Sequence, residues 1–180
     1  MDLDLLDLYE RASEWTAAKA AGATRQLDAV TPCDGWDVRT LMNHMLDTQH
    51  YFVSASRGEK AAPPSSPPPA DLVGDDPADD FQRARKETIE TFSAPGVVER
   101  TGPSLGIAFS DQLIHGWDLA TATDQDATMP AGLPEAAYEM IHGRFTDDQR
   151  EGAFKPEVAL PGDASAQDRL LAYTGRDPST

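Results

Sequence analysis

Ser110-Asp111-Gln112-Leu113-Ile114-His115-Gly116-Trp117-Asp118-Leu119-Ala120 is the stretch on which the reading of this chain turns. Asp111 and His115 are four residues apart, and Asp118 is seven after Asp111. In a helix that spacing stacks the three side chains on one face, a turn apart. Ile107 and Ile114 border the row on one side, Ala108 and Leu119 on the other. Polar groups in an apolar surround belong inside a helical protein. A carboxylate buried there costs on the order of several kcal/mol unless it is paired or coordinates a metal. An acid and a histidine one turn apart on an inward face is a spacing used by metal sites in helical bundles. The same spacing serves a carboxylate that only orients a core histidine, and the stretch alone leaves both readings open.

Working outward, helical periodicity recurs. Leu5, Leu8, Ala12 and Trp15 predict a first helix over residues 2–21, with Asp2 and Asp4 at its positive end and Gly22 as its stop. Asp37 is the expected N-cap of a second helix reaching Ser56. Its stripe is Val38, Leu41, Met42, Met45, Gln49 and Phe52, which leaves His44 on one flank and His50 on the other. Residues 58–77, with the Pro-rich run 61–70, read as an extended surface loop. A third helix is expected over 77–93, with Phe81, Ala84, Thr88 and Phe92 inward, and a connection over 95–103. The fourth helix is expected from Leu105 to Thr123 and a fifth from Leu133 to Phe145, with Pro134 in its first turn. Phe154 to Leu160 alternates like an edge strand. A last helix over Ser165 to Tyr173 pairs Ser165 with Asp168 at its start and has Gly175 past its end.

Composition removes several classes. The 180 residues, 39% of them apolar, suffice for one domain with a core. Thirty-one acidic residues against 15 Lys and Arg give a formal charge of −16. Such a surface repels phosphate backbones and anionic lipid, which argues against nucleic-acid and membrane partners. With one cysteine, Cys33, there is no intrachain disulfide. No signal-peptide pattern or apolar run of membrane-spanning length is visible, and a cytoplasmic location is the expectation. There is no Gly-rich phosphate loop, Gly-x-Ser-x-Gly or Cys-x-x-Cys motif.

Three stretches carry a family resemblance: Thr31-Pro-Cys-Asp-Gly-Trp-Asp-Val-Arg-Thr-Leu-Met-Asn-His44, Asp111 through Ala120, and Asp168-Arg-Leu-Leu-Ala-Tyr-Thr-Gly-Arg-Asp-Pro178. Their order and spacing resembles the actinobacterial metal-binding branch of the DinB-like superfamily, related to mycothiol-dependent maleylpyruvate isomerases. The resemblance implies an all-α fold: a four-helix bundle over residues 1–125, with a C-terminal helical and extended appendage over 126–180 packed on it. It also implies a divalent metal held by His44, Asp111 and His115. Where those isomerases are expected to carry Glu, this chain has the shorter Asp111.

Two imidazoles and a carboxylate suit Zn²⁺ first, and also Ni²⁺, Fe²⁺ or Mn²⁺. The function implied is that of a mycothiol-dependent transferase or isomerase, with a small-molecule thiol and a small electrophile as partners. A non-catalytic metal-binding stress or sensor module, and a structural bundle with a degenerate site that forms a homodimer, are the competing classes. Asp118, one turn beyond His115, is placed to accept a hydrogen bond from a ligand histidine. Trp117 points away from the ligand row and reads as packing. Cys33 reads as a structural thiol, and His142 as a partner of a helix dipole. Arg176 is open between holding an anionic substrate and capping the tail.

Overall fold

A computed structural model describes residues 4–144 and 154–179. The described helices are α1 (Leu5–Ala23), α2 (Val38–Ser56), α3 (Pro77–Phe92), α4 (Val97–Ala122), α5 (Leu133–Ile141) and α6 (Ala166–Tyr173). Among the described residues there is no strand, only an isolated antiparallel bridge between Val30 and Asp37. The expected all-α bundle is what the described residues form.

Capping chemistry sets several of the helix starts. Asp4 Oδ1 accepts from the N–H groups of Leu6 and Asp7 at the head of α1. Asp37 Oδ1 accepts from Thr40 N at 2.8 Å, and Asp76 caps α3 ahead of Pro77. Each cap satisfies backbone donors that the first turn leaves without partners. At α6, Ser165 and Asp168 form the reciprocal pair expected of them.

Four helices make the bundle. α1 lies against α4 and α3, and α2 lies against α3 and α4, so the ring runs α1, α4, α2, α3. α5 packs on α4, and α6 on α5. One apolar cluster joins Leu8, Ala12, Phe109, Leu113 and Trp117 to Leu133, Ile141, Leu170 and Tyr173. The other fills the opposite end with Ala20, Leu41, Met42, Met45, Phe81 and Leu119. α1 and α4 approach closely at Gly116, where a Cβ would sit 2.5 Å from Thr16 Oγ1 and 2.6 Å from Trp15 Cζ3.

Several local expectations are corrected. α4 begins at Val97, eight residues before the expected Leu105, so most of the 95–103 connection is helical. Gly102-Pro103 looks like a break, but a proline there removes one backbone bond. Val97 and Leu105, buried on either side, hold the helix through it. α1 does not stop at Gly22, because Gln125 packs against that glycine and donates to Lys19 O at 2.9 Å, extending the last turn. α5 ends at Ile141, with Gly143 at φ +72°. Asp2 and Phe145, the expected outer bounds of two helices, lie outside the described residues.

Residues 154–160 are not a strand. Lys155 N and Val158 N donate to Thr174 O and Ala172 O, so the segment runs along the end of α6 rather than along a sheet. The Pro-rich loop stays on the surface and is tied down by Asn43, whose Oδ1 accepts from Leu72 N and Val73 N.

Candidate metal centre

The middle of α4 carries the polar row inward, toward α2 and the Thr31–Trp36 turn. His44, Asp111 and His115 come together with one ligand-type atom each, all within 4.8 Å of one another. Asp111 Oδ1 lies 3.4 Å from His44 Nε2 and 3.5 Å from His115 Nε2. The two imidazoles meet edge to face, with ring centroids 4.9 Å apart. Both histidines are buried, while the Asp111 side chain keeps 16% of its exposure.

Periodicity puts His44 at the border of α2, but the bundle buries it. α2 packs on two neighbours, so its inward face is broader than one stripe and takes in Asn43, His44, Leu46 and Thr48. Thr48, a turn on, donates to His44 O at 2.9 Å. Trp36 lies against the His44 ring at 5.1 Å. His50, on the other flank, is exposed, and His142 stacks between Tyr138 and Tyr173 away from this group.

Behind His115 lies a second layer. His115 Nδ1 donates to Asp118 Oδ2 at 2.8 Å, which leaves Nε2 as the atom facing Asp111. Asp118 is fully buried. Its carboxylate is gripped by the guanidinium of Arg176, with Nε on Oδ1 at 3.1 Å and Nη2 on Oδ2 at 2.7 Å. That is the planar, two-pronged geometry that suits arginine to carboxylates. Cys33 Sγ also donates to Asp118 Oδ2, at 3.4 Å.

Burial works against charge on every carboxylate here, and the neighbours outweigh it. Burial pushes Asp118 up, but the Arg176 charge and the hydrogen bonds from His115 and Arg176 hold it far below the usual carboxylate range. Burial likewise pushes Asp111 up, and His115, then His44, bring it below its ordinary value, with a smaller contribution from Arg176. The Cys33 thiol goes the other way. Burial and the Asp118 charge push it up beyond what Arg176 and Thr31 offset, so it stays a protonated donor.

The residues fit a divalent ion. Two donors about 2.1 Å from a tetrahedral zinc lie roughly 3.4 Å apart. The two separations from Asp111 Oδ1, 3.4 and 3.5 Å, match that span. They are long for hydrogen bonds between the same groups. Asp111 Oδ2 and His44 Nδ1 are buried with no hydrogen-bond partner among the described residues. His115 already has an orienting carboxylate, Asp118, 2.8 Å from its Nδ1.

Sequence reading singles out Arg176 but not its partner, Asp118. The guanidinium is buried against Asp118, and its Nη1 also caps the end of α6 by donating to Thr174 O at 3.1 Å. Nothing in the Gly175-Arg176-Asp177-Pro178 tail points to a buried carboxylate as its partner. The link from Cys33 to Asp118, across 85 residues of chain, had no signal at all.

Comparison with known proteins agrees with the all-α fold. A family model described as the mycothiol maleylpyruvate isomerase N-terminal domain matches residues 9–120. An uncharacterized protein of Mycobacterium tuberculosis strain CDC 1551 / Oshkosh is 30% identical over 192 residues, covering 97% of this chain and 98% of its own. An uncharacterized protein of strain H37Rv matches to the same extent. No solved structure gives a significant match. By the family match across most of its length, this chain belongs to the DinB-like family of the mycothiol maleylpyruvate isomerase N-terminal domain.

Proposed function

We propose that this chain binds a divalent metal, zinc before nickel, iron or manganese, through His44, Asp111 and His115, and that it is a mycothiol-dependent transferase or isomerase acting on a small electrophile. The observation that carries the reading is the convergence of His44 Nε2, Asp111 Oδ1 and His115 Nε2 at separations suited to a shared ion. Family membership supports the thiol.

Each residue has a task. Asp111 supplies the one negative charge facing the two imidazoles. Asp118 keeps the proton of His115 on Nδ1, so that Nε2 presents its lone pair. Trp36 covers one side of His44 and limits water there. Trp36, Cys33 and Asp111 are the partly exposed members of the group, so substrates approach across the Thr31–Trp36 turn. A divalent ion held by three protein ligands keeps open positions and there stabilises a thiol as its thiolate.

The test is calorimetric titration of mycothiol into zinc-loaded and chelator-treated protein, in two buffers of different ionisation enthalpy. Zinc-loaded protein is expected to bind mycothiol and release about one proton per site as the thiol ionises. Equal binding with and without zinc would remove the thiol from the metal. Turnover of mycothiol with an electrophile separates an enzyme from a module that binds metal without catalysis.

A further inference from the structure

We propose that Arg176 is a positioning residue of this centre: through the Asp118 carboxylate it holds His115 in the Nδ1–H tautomer, with Nε2 turned toward Asp111 and His44. The inference rests on the metal reading above. It adds a residue from the far end of the chain, beyond the segment that the family model covers.

The geometry runs in one line. Arg176 grips both oxygens of Asp118. Asp118 Oδ2 in turn receives His115 Nδ1 at 2.8 Å. Held this way, the carboxylate cannot swing off the imidazole. A hydrogen-bond acceptor on one ring nitrogen determines the tautomer and leaves the other nitrogen as the donor atom. The arginine also balances charge. A second buried carboxylate beside Asp111 would set two negative charges next to one ion, and the guanidinium cancels the second. What remains around a divalent ion is the single charge of Asp111, which leaves one positive charge to meet one thiolate.

The tail is built to deliver this residue. Thr174 N and Oγ1 close the end of α6 on Leu170 O and Leu171 O. Gly175 then turns the chain at φ +79°, and a Cβ there would collide with the backbone of Lys155. Arg176 N donates to Leu171 O at 3.0 Å, and its Nη1 to Thr174 O at 3.1 Å, so the guanidinium is aimed from a rigid base. Lys155 anchors the same corner to the Thr31–Trp36 turn, with Nζ 2.6 Å from Asp34 Oδ1 and 3.3 Å from Pro32 O.

The experiment measures Co²⁺ affinity from the visible absorption of the ion in wild type, Arg176→Gln, Asp118→Asn and the double variant. In parallel, ¹⁵N shifts of His115 report its tautomer in metal-free protein, at a pH where the ring is neutral. Arg176→Gln is expected to raise the Co²⁺ Kd about 10- to 100-fold and to turn a single Nδ1–H tautomer into a mixture. In the Asp118→Asn background it is expected to add nothing further, because it acts through that carboxylate. Arg176→Lys, which keeps the charge but loses the fork, serves if Arg176→Gln does not fold, and is expected to restore affinity only in part. An arginine that only stabilises the fold would lower the urea midpoint yet leave both the Kd and the tautomer unchanged, and that result overturns the proposal. Additive losses in the double variant overturn it as well. If wild type binds no Co²⁺, the metal reading fails on its own, and the tautomer measurement still decides the role of Arg176.

Discussion

Replacing Asp111 with Asn tests the centre at its pivotal residue. The volume is kept, while the negative charge and one anionic oxygen are lost. Among the described residues, and without metal, Asp111 Oδ1 has two long contacts, 3.4 and 3.5 Å, and Oδ2 has no hydrogen-bond partner. In chelator the substitution should therefore shift stability by no more than about 1 kcal/mol, below the range usual for hydrogen bonds to charged groups. With zinc the difference is large. Zinc at about 100 times the wild-type Kd stabilises the folded state by about 2.7 kcal/mol. Losing a direct ligand costs at least the ~100-fold that losing a supporting partner can cost. The variant at the same zinc concentration then gains only about 0.4 kcal/mol. For a chain of this length the wild-type gain amounts to roughly 5–10 °C in Tm, and the variant gain to about 1 °C. Thermal unfolding of both proteins, each with zinc and with chelator, measures all four states. Equal stabilisation of the two proteins by zinc would show that Asp111 is not a ligand, and the three-residue centre would fail. A loss above about 3 kcal/mol in chelator would show that its partners in the metal-free protein are stronger than these distances allow.

Two further predictions concern the frame. Gly116→Ala drives a methyl into Thr16 and Trp15 where α1 and α4 meet, and should cost about 1–3 kcal/mol in urea unfolding; the next residue along α4 is Trp117 in the core, and His115 precedes it, so zinc affinity should fall with stability. Asp37→Ala removes the cap at the head of α2 and should cost about 1 kcal/mol at neutral pH. Burial raises the Asp37 carboxyl, but the Thr40 hydrogen bonds, its own backbone N–H and the Arg39 charge together hold it below its ordinary value in the folded chain. Its contribution is therefore complete above the unfolded carboxylate pKa and is lost as pH falls through the lower folded value. Wild type and variant should converge in stability in acid, and a constant gap from neutral pH down to that range would refute the cap's charge.

The sequence by itself determined what is local. The caps Asp37 and Ser165 are readable because an N-cap is a contact between near neighbours in the chain. The inward faces of α3 and of the middle of α4 follow from a 3.6-residue period, which needs no knowledge of the partner helix. Asp111 and His115 share a face for the same reason. Tertiary structure decided everything that depends on what lies opposite. Periodicity could only set His44 on a flank, because the width of a buried face depends on how many helices pack against it; resemblance, not pattern, pointed inward. The early start of α4 was hidden behind Gly102 and Pro103, whose local preference yields to buried contacts at Val97 and Leu105. Arg176 was least legible of all. Its partner lies 58 residues away, and a guanidinium in a polar tail has the same sequence pattern whether it faces water or a buried carboxylate. Only the fold of α6 back onto α5, and the turn at Gly175, brings that charge to Asp118. An ion pair made through tertiary packing leaves no periodic trace in the chain that carries it.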